Sequence, residues 1–413
     1  MGNTMFTTRK LLMQTFAACA LFSLLPATYA QTVSPESVGL SSERLGRIHD
    51  LVQSHIDAGR ISGAVTLVAR HGKIAHLEAQ GVMDISTHQP MQEDTIFRLA
   101  SMSKPVAGLA IMMLVEEGKV KLDDNVSRYL PSFKQQQVAV PYGEEGAFYL
   151  MPAAREITVR DLLTHTSGVM SGQISSGAGN ALFNTRHEVG LTWVEELGSA
   201  PLEFQPGSRW SYSAVAGFDM LSRIVEIASG QNFNEFLQQR VFNPLGMDDI
   251  FFWPNDDQRP RIVTSYNMVE GKMEPRNNPD SMSGEIFFSG AGGLMASAEA
   301  YAQFGMLLAH GGELNGVRLL GTRTMEVMRS PFIDDTLPGR SPGEGYGLSV
   351  RVLTDPLKSV SLLSAGTFGW SGAYGTHLFV DPAEELVGVM LIQTPIREMR
   401  PEFETAVMQA LID

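Results

Sequence analysis

Cysteine is almost absent from this sequence, because Cys19 is the only one among 413 residues. It lies within residues 1–30, where Arg9 and Lys10 precede an apolar run and a stretch of small residues. This layout is typical of a secretory signal peptide, and we predict cleavage after Ala30. The mature chain would then contain no cysteine and could form no disulfide.

The sequence also lacks long apolar runs beyond this leader. No other stretch approaches the roughly 20 apolar residues that a membrane-spanning helix needs, so we expect the mature protein to be periplasmic or secreted, without membrane insertion. A lipid anchor on Cys19 fits less well, because Phe16 replaces the aliphatic residue usual before a lipidated cysteine and apolar residues continue beyond it.

Positive charge is scarce as well. The chain has 31 lysines and arginines against 45 acidic residues, and loss of the leader would lower the formal charge from −14 to −16. So negative a protein is a poor partner for nucleic acid or an anionic membrane. Nine histidines occur without an H-E-x-x-H motif or any other metal-ligand spacing, so the sequence implies no metal and no cofactor.

What the sequence does contain is an ordinary globular composition, 44% hydrophobic, with strand patterns at both ends. Helical spacing after Ser41 and Ser42 predicts a first helix that ends near Gly59. A hairpin around Gly72 follows, and near the other end "GLSVRVLT", "YGTHLFVDP" and "LVGVMLIQT" are strand-like. A last helix is predicted over about Glu398–Ile412.

The middle of the chain is mostly helical in pattern. We therefore predict an α/β (α+β) fold, in which an antiparallel sheet from both chain ends is flanked by helices and carries an inserted, mostly helical region. One domain would span 31–413, with the sheet part at about 35–95 and 290–413 and the helical part at about 96–289. Two stretches, about Gln135–Arg155 and Asn255–Gly284, are predicted to be long loops at a functional rim.

The stretch "FRLASMSKPVAGLAIMMLVEEGK" places Ser101 three residues before Lys104, at the start of an apolar helical run. Pro105 is tolerated only near the first turn of a helix, so Ser101 is predicted to lie at the helix N-terminus. Unpaired N–H groups there favour negative charge on a serine oxygen and on the group it attacks. Burial favours the neutral form of a lysine, which can accept the serine proton.

Two other residues compete for a catalytic role. Ser341 stands in a complete G-x-S-x-G motif, but the following Pro342 has no N–H for an oxyanion and loop residues follow instead of a helix. His165, in "LLTHTSG", sits at the end of a helical run, where we expect it to cap backbone carbonyls rather than act as a base.

The sequence resembles the class C branch of the serine β-lactamase and penicillin-binding-protein superfamily. The resemblance is carried, in order over most of the chain, by "FRLASMSKPVAGLAIMMLVEEGKVKLDDNVSRYLP", "ITVRDLLTHTSG", "FQPGSRWSYSAVAGFDML", "FNPLGM" and "GAGGLMASAEAYAQF". It implies a β-lactamase/transpeptidase-like fold, with Ser101 as the nucleophile and Lys104 as its base.

The resemblance also implies a role for Tyr212, which matches the first position of the family's Tyr-x-Asn motif. Its phenol could share a proton with Lys104 and then protonate the leaving group. Ala214 replaces the asparagine found in many β-lactamases, so the side-chain amide that helps to hold an acylamide substrate is missing.

The third family motif, Lys-Thr-Gly, is absent. Trp370-Ser371-Gly372 stands in its place, and related Trp-Gly-Gly triplets are found in the lactamase-like family VIII carboxylesterases. The family's geometry implies an oxyanion hole formed by the N–H groups of Ser101 and Ala373, with Gly372 allowing close approach of the substrate. Loss of a cation weakens recognition of the β-lactam carboxylate more than recognition of a simple ester.

Three functions remain open on the sequence. The first is a serine carboxylesterase that cleaves short acyl esters through an acyl-enzyme. The second is a β-lactamase or peptidase that uses the same site to cleave β-lactams or D-amino-acid peptides of the cell wall. In both the first and the second function, the substrate is a small acyl ester or amide. The third is a catalytically silent homologue that only binds, which intact Ser101, Lys104 and Tyr212 argue against.

Overall fold

A computed structural model of the protein describes residues 1–2, 32–143, 147–276 and 286–412. All but the first two residues of the predicted leader, and its cleavage site, lie outside these ranges. The strands, in chain order, are β1 Gly63–Arg70, β2 Lys73–Asp84, β3 Gln89–Pro90, β4 Phe97–Arg98, β5 Gln137–Pro141, β6 Phe148–Pro152, β7 Ile250–Phe251, β8 Tyr266–Val269, β9 Lys272–Pro275, β10 Met295–Ala296, β11 Glu313–Leu314, β12 Val317–Arg318, β13 Glu344–Tyr346, β14 Arg351–Leu353, β15 Phe368–Ser371, β16 His377–Asp381 and β17 Leu386–Leu391.

The α-helices alternate with these strands and are concentrated in the middle of the chain. They are α1 Ser42–Asp57, α2 Ser103–Glu116, α3 Val159–Leu163, α4 Gln173–Phe183, α5 Arg186–Val189, α6 Ala216–Ser229, α7 Phe233–Leu237, α8 Asn243–Leu245, α9 Ala298–Ala309, α10 Thr322–Met328, α11 Pro356–Ser359 and α12 Met399–Met408.

One antiparallel sheet of eight strands, in the order β13-β14-β15-β16-β17-β1-β2-β3, joins the two ends of the chain. Its centre is the pairing of β1 with β17, which runs from Val65 opposite Leu391 to Arg70 opposite Leu386. The prediction of an antiparallel sheet built from both ends is therefore confirmed. Every residue of β1 and of β17 is buried, because helices cover both faces of the sheet.

Helices α1 and α12 pack together on one face of the sheet, and α9 packs against β1, β16 and β17. The predicted first helix forms as expected, because the Ser41 side chain accepts a hydrogen bond from the Arg44 N–H and caps it. It buries Leu45, Ile48 and Val52 against the sheet.

Helix α2 lies at the centre of the helical region and packs against α6. Its residues from Ser103 to Leu114 are all buried, so the helix has no polar face. Gly118, at φ 71°, ends it as the sequence predicts. This burial fixes the helix that carries the predicted base, and the turn just before it that carries the predicted nucleophile, against α6.

Both predicted loops contain a hairpin that the sequence analysis missed. Strand β5 pairs with β6 inside 135–155, and β8 pairs with β9 inside 255–284. Valines at alternate positions favour β5 as a strand, and the turn at Glu270-Gly271 has positive φ at both residues, as the type I′ turn of a two-residue hairpin requires. Within the described residues, no helix has the length and apolar character needed to cross a membrane.

Candidate active site

Ser101 lies in a single 3-10 turn, Ala100–Met102, that runs directly into α2. Ala100 has φ 46°, a left-handed conformation that costs energy for a residue with a side chain. Pro105 falls in the first turn of α2, where no intrahelical N–H is lost. The turn places the Ser101 hydroxyl half-buried above a completely buried Lys104.

The amine of Lys104 is held by three oxygen atoms. Its Nζ donates to the carbonyls of Ala214 and Ala291, each at 2.7 Å, and lies 3.2 Å from Ser101 Oγ. The two carbonyls use two N–H bonds, so a neutral amine would direct its lone pair at the Ser101 hydroxyl. This is the arrangement that a general base for Ser101 requires.

Tyr212 reaches the same serine from the segment before α6. Its hydroxyl donates to Ser101 Oγ at 2.6 Å, and its ring centre lies 5.0 Å from Lys104 Nζ. The structure therefore brings Ser101, Lys104 and Tyr212 into one hydrogen-bonded cluster, although 111 residues separate Ser101 from Tyr212. A proton can move among these three groups without a large rearrangement.

His165 packs its ring against Tyr212, with the ring centres 4.7 Å apart. The Ser213 N–H donates to His165 Nδ1 at 3.2 Å, so the prediction that this side chain caps carbonyls is wrong. At φ 57° the residue turns its side chain away from the end of α3 and into the core. Burial, together with the positive charges of Lys104 and Arg340, holds the pKa of His165 well below its usual value, and the ring is a neutral support for Tyr212.

Asp219 is a buried residue near the site that the sequence analysis missed. It accepts hydrogen bonds from Ser289 Oγ at 2.6 Å and from the Ala291 N–H at 3.3 Å, while Trp193 Nε1 donates to its other oxygen. Burial raises the pKa of Asp219 to about 6, against the opposing effect of these donors and of Lys104. An acidic residue on the apolar face of "FDMLSRIVEI" is the signal that could have identified it.

The end of β15 lies against the turn that carries Ser101. A Cβ on Gly372 would stand 2.3 Å from the Leu99 carbonyl oxygen, and Thr376 Oγ1 donates to the same oxygen at 3.2 Å. Only glycine permits this approach, which sets Ala373 beside the nucleophile. The Ala373 N–H donates to no atom of the described chain, which leaves it available for a substrate oxygen.

The predicted substrate-binding residues of β15 point to opposite faces of the sheet. The Trp370 ring lies 5.6 Å from the Tyr212 ring, whereas Ser371 faces away from Tyr212 and contacts His377 on β16. The alternative serine, Ser341, is exposed. In the described part of the chain, no group of three or more His, Cys, Asp or Glu residues could hold a metal ion.

Comparison with known proteins agrees with this geometry. The profile of the Beta-lactamase family matches residues 48–411. Esterase EstB from Burkholderia gladioli is 31% identical over 406 residues, which cover 92% of this chain and 99% of EstB. Protein Rv1367c from Mycobacterium tuberculosis is 36% identical over 355 residues, or 82% of this chain and 87% of that protein.

Among solved structures, EstCE1, "a hydrolase with promiscuous acyltransferase activity", superposes with a TM-score of 0.75 and 28% identity, covering 90% of this chain and 99% of EstCE1. The family match spans both parts of the large sheet and all the residues that converge on Ser101. This chain belongs to the β-lactamase family and is a serine hydrolase of the β-lactamase fold.

Proposed function

We propose that this protein is an exported esterase that cleaves short acyl esters through an acyl-enzyme on Ser101. The observation that carries the proposal is the position of Ser101 Oγ, within hydrogen-bond reach of both Lys104 and Tyr212. The esterase activity named for EstB, together with the hydrolase and acyltransferase activities named for EstCE1, supports an acyl ester as the substrate.

In the first half of the reaction, Ser101 Oγ attacks the ester carbonyl carbon while neutral Lys104 takes the hydroxyl proton. The negative charge that forms on the carbonyl oxygen is stabilised by the N–H groups of Ser101 and Ala373. Tyr212 donates its proton to the departing alkoxide oxygen and regains one from Lys104. The alcohol leaves, and the acyl group remains on Ser101.

In the second half, a water molecule attacks the acyl-enzyme carbonyl. Tyr212 takes the proton of this water as it passes its own to Lys104, and the proton that Lys104 then returns restores the Ser101 hydroxyl as the acid departs. No charged group beyond the catalytic cluster is needed to recognise a simple ester. The packing of Trp370 against Tyr212, in the place of the family's cation, therefore favours esters over β-lactams, whose carboxylate would need that charge.

The proposal is tested by offering the purified protein a nitrophenyl butyrate and a chromogenic cephalosporin in parallel. Ser101→Ala should abolish ester cleavage, and Lys104→Ala should reduce turnover by at least about a thousandfold because the two residues act as one unit. Ser341→Ala and Lys134→Ala, at exposed positions, are the matched controls and should retain full activity.

Rapid cephalosporin turnover would instead favour the β-lactamase alternative, and ester cleavage that survives Ser101→Ala would remove the proposed nucleophile. A serine-directed fluorophosphonate followed by peptide mass spectrometry should label Ser101 and spare Ser341. Export is tested separately by fractionating a bacterial host that produces the full chain: a periplasmic or secreted protein beginning at Gln31 is expected, and a cytoplasmic protein beginning at Met1 would contradict it.

A further inference from the structure

The loop at residues 338–343, which contains the G-x-S-x-G motif, lies directly against the segment that carries Tyr212. The Trp210 N–H donates to the Pro338 carbonyl at 2.9 Å. A Cβ on Gly339, where φ is 97°, would lie 2.1 Å from the Trp210 carbonyl oxygen, so glycine is required for this approach. The motif that does not supply a nucleophile therefore contacts the chain two residues before the proposed proton donor.

Tyr212 needs such contacts because its own segment has no regular structure. Residues 209–213 lie in no helix or strand, so no ladder of backbone hydrogen bonds fixes the phenol. The Ser211 N–H donates to the His165 carbonyl at 3.0 Å, and the Trp210 N–H donates to the 338–343 loop. The position of the Tyr212 hydroxyl, 2.6 Å from Ser101 Oγ, thus depends on contacts from other elements.

The Trp210 ring is one of these contacts. It stacks on the Tyr212 ring, with the ring centres 6.4 Å apart and the planes 23° from parallel. Tyr346, which is completely buried, lies 5.8 Å from the Trp210 ring and 5.3 Å from the Trp370 ring. A shift of the indole would therefore change the packing around the phenol.

Arg340 joins Trp210 to Tyr346. Its guanidinium carbon lies 4.5 Å from the centre of the Trp210 ring and 5.6 Å from that of Tyr346, and Nη2 donates to the Gly345 carbonyl at 3.0 Å. Only 4% of the side chain is exposed, and the carboxylate of Glu344 stands 3.8 Å away. A cation is attracted to the face of an aromatic ring more strongly when water is excluded, so this contact holds the indole in place.

We propose that Arg340 is a positioning residue for Tyr212, and that together with Gly339 it fixes Trp210 so that the phenol stays at Ser101 Oγ. The inference rests on the proposed function, in which Tyr212 protonates the departing alkoxide, and adds a residue to it. Arg340 exchanges no proton in the reaction and acts through Trp210.

This role has a kinetic signature that depends on the leaving group. Ethoxide is a strong base and must be protonated as it leaves, whereas nitrophenolate is a stable anion that leaves without a proton. Trifluoroethoxide is close to ethoxide in size and less basic. A displaced Tyr212 should therefore slow cleavage of an ethyl ester most and of a nitrophenyl ester least, while a loss of folded protein would slow all three equally.

The test measures kcat/KM for nitrophenyl, trifluoroethyl and ethyl butyrate, the last two in a pH-stat. Arg340→Met keeps a long side chain beside the rings but removes the guanidinium. It should lower kcat/KM for the ethyl ester about tenfold more than for the nitrophenyl ester, which is part of the roughly 10²–10⁴-fold that a general acid supplies. Arg340→Lys should recover part of this loss, because an ammonium can also lie over the indole.

Gly339→Ala displaces the same tryptophan through its backbone and should give the same selective loss. It decides the question alone if Arg340→Met does not fold. Ser341→Ala is the matched control, because this side chain belongs to the same loop and is exposed; it should leave the ratio among the three esters unchanged.

Tyr212→Phe provides the reference, since it removes the proton donor and should give the largest selective loss. Adding Arg340→Met to Tyr212→Phe should cause no further selective loss, because both changes act on one group. An equal loss on all three esters in Arg340→Met, no loss at all, or a selective loss that persists in the Tyr212→Phe background would overturn the inference.

Failure of the proposed function gives a different result in the same assays. Cleavage of nitrophenyl butyrate that does not depend on Ser101 would overturn the proposed function itself. Cleavage that depends on Ser101, but with no selective loss in Tyr212→Phe, would remove Tyr212 as the proton donor and the role of Arg340 with it, and would leave Ser101 as the nucleophile.

Discussion

At the scale of single residues, the buried amine of Lys104 is the feature that most constrains the site. Lys104 is fully buried, yet its direct partners are two backbone carbonyls and the Ser101 hydroxyl rather than a carboxylate. The backbone of Ala291 links the carboxyl group of Asp219 to Lys104: its N–H donates to Asp219, and its carbonyl accepts from Lys104. We infer that Asp219 positions the base without contacting the reacting atoms.

The raised pKa of Asp219 makes a prediction about stability. In the unfolded chain its pKa would be near 3.8, and in the folded protein burial raises it to about 6. The folded state therefore binds this proton more tightly, and the resulting stability is fully present below about pH 4 and is lost as the pH rises through 6. The loss is on the order of 3 kcal/mol.

Asp219→Asn should remove this dependence, because an amide does not ionise. The measurement is the free energy of unfolding in urea at several pH values between 4 and 7. The quantity compared between variants is the slope of this free energy against pH, rather than its absolute value. Trp193→Phe is the control: it removes one donor to Asp219 and leaves the ionisable carboxyl group, so the free energy of unfolding should still fall as the pH rises. Equal slopes in Asp219→Asn and the wild type would contradict the assignment of this pH dependence to Asp219.

At the scale of elements, the turn from Ser289 to Gly293 between the helical region and β10 sets the geometry of the base. A Cβ on Gly290 would lie 2.0 Å from Ser222 Oγ and 2.9 Å from the Ala107 Cβ. The turn therefore packs directly on α2 and α6 and delivers the Ala291 carbonyl to Lys104. Its glycine-rich sequence, "GAGG", reflects this close approach.

Gly290→Ala should displace the Ala291 carbonyl and lower kcat by tenfold or more, while the far-ultraviolet circular dichroism stays unchanged. Steady-state kinetics on nitrophenyl butyrate would measure the effect. Gly177→Ala in α4 is the matched control, because nothing lies within 4 Å of the added methyl group. Adding Ser222→Ala to Gly290→Ala removes Ser222 Oγ, the atom nearest to the new methyl group, and should restore part of the activity. An unchanged kcat in Gly290→Ala alone would show that the turn does not position Lys104.

At the scale of the whole molecule, stability depends on the union of the two chain ends in one sheet. Gly388 of β17 sits between β1 and β16, opposite Val68 and Phe379. A Cβ there would approach the Phe379 ring to 2.2 Å, and that ring packs on Phe403 of α12. A methyl group at this position therefore strains the strand pairing and the helix layer together.

Gly388→Ala should lower the free energy of unfolding by about 1–3 kcal/mol, as overpacked cores do. Thermal or urea unfolding measures it. Gly46→Ala in α1 meets nothing within 4 Å and should be neutral or stabilising, since alanine favours a helix over glycine by about 1 kcal/mol. A Gly388→Ala protein as stable as the wild type would contradict the packing described for this sheet.

Much of the architecture could be predicted because it depends on local pattern. The capping serine and apolar spacing of α1, the turn at Gly72 and the alternating strands near the C-terminus each specify an element within about ten residues. The hairpins β5–β6 and β8–β9 were missed because prolines, glycines and charged residues interrupt or flank their short apolar runs. Pairing between neighbouring strands, rather than composition, makes them strands.

The sequence by itself determined the chemistry of this protein: a serine and a lysine on one helix turn, a tyrosine in a related motif, and tryptophan in place of a cation. Those features are local, and residue types three apart on a helix must share a face. Only the tertiary structure decided which distant groups meet them. The neutral support of His165 and the buried carboxyl of Asp219 depend on burial and on contacts between separate elements, which no short stretch of sequence encodes.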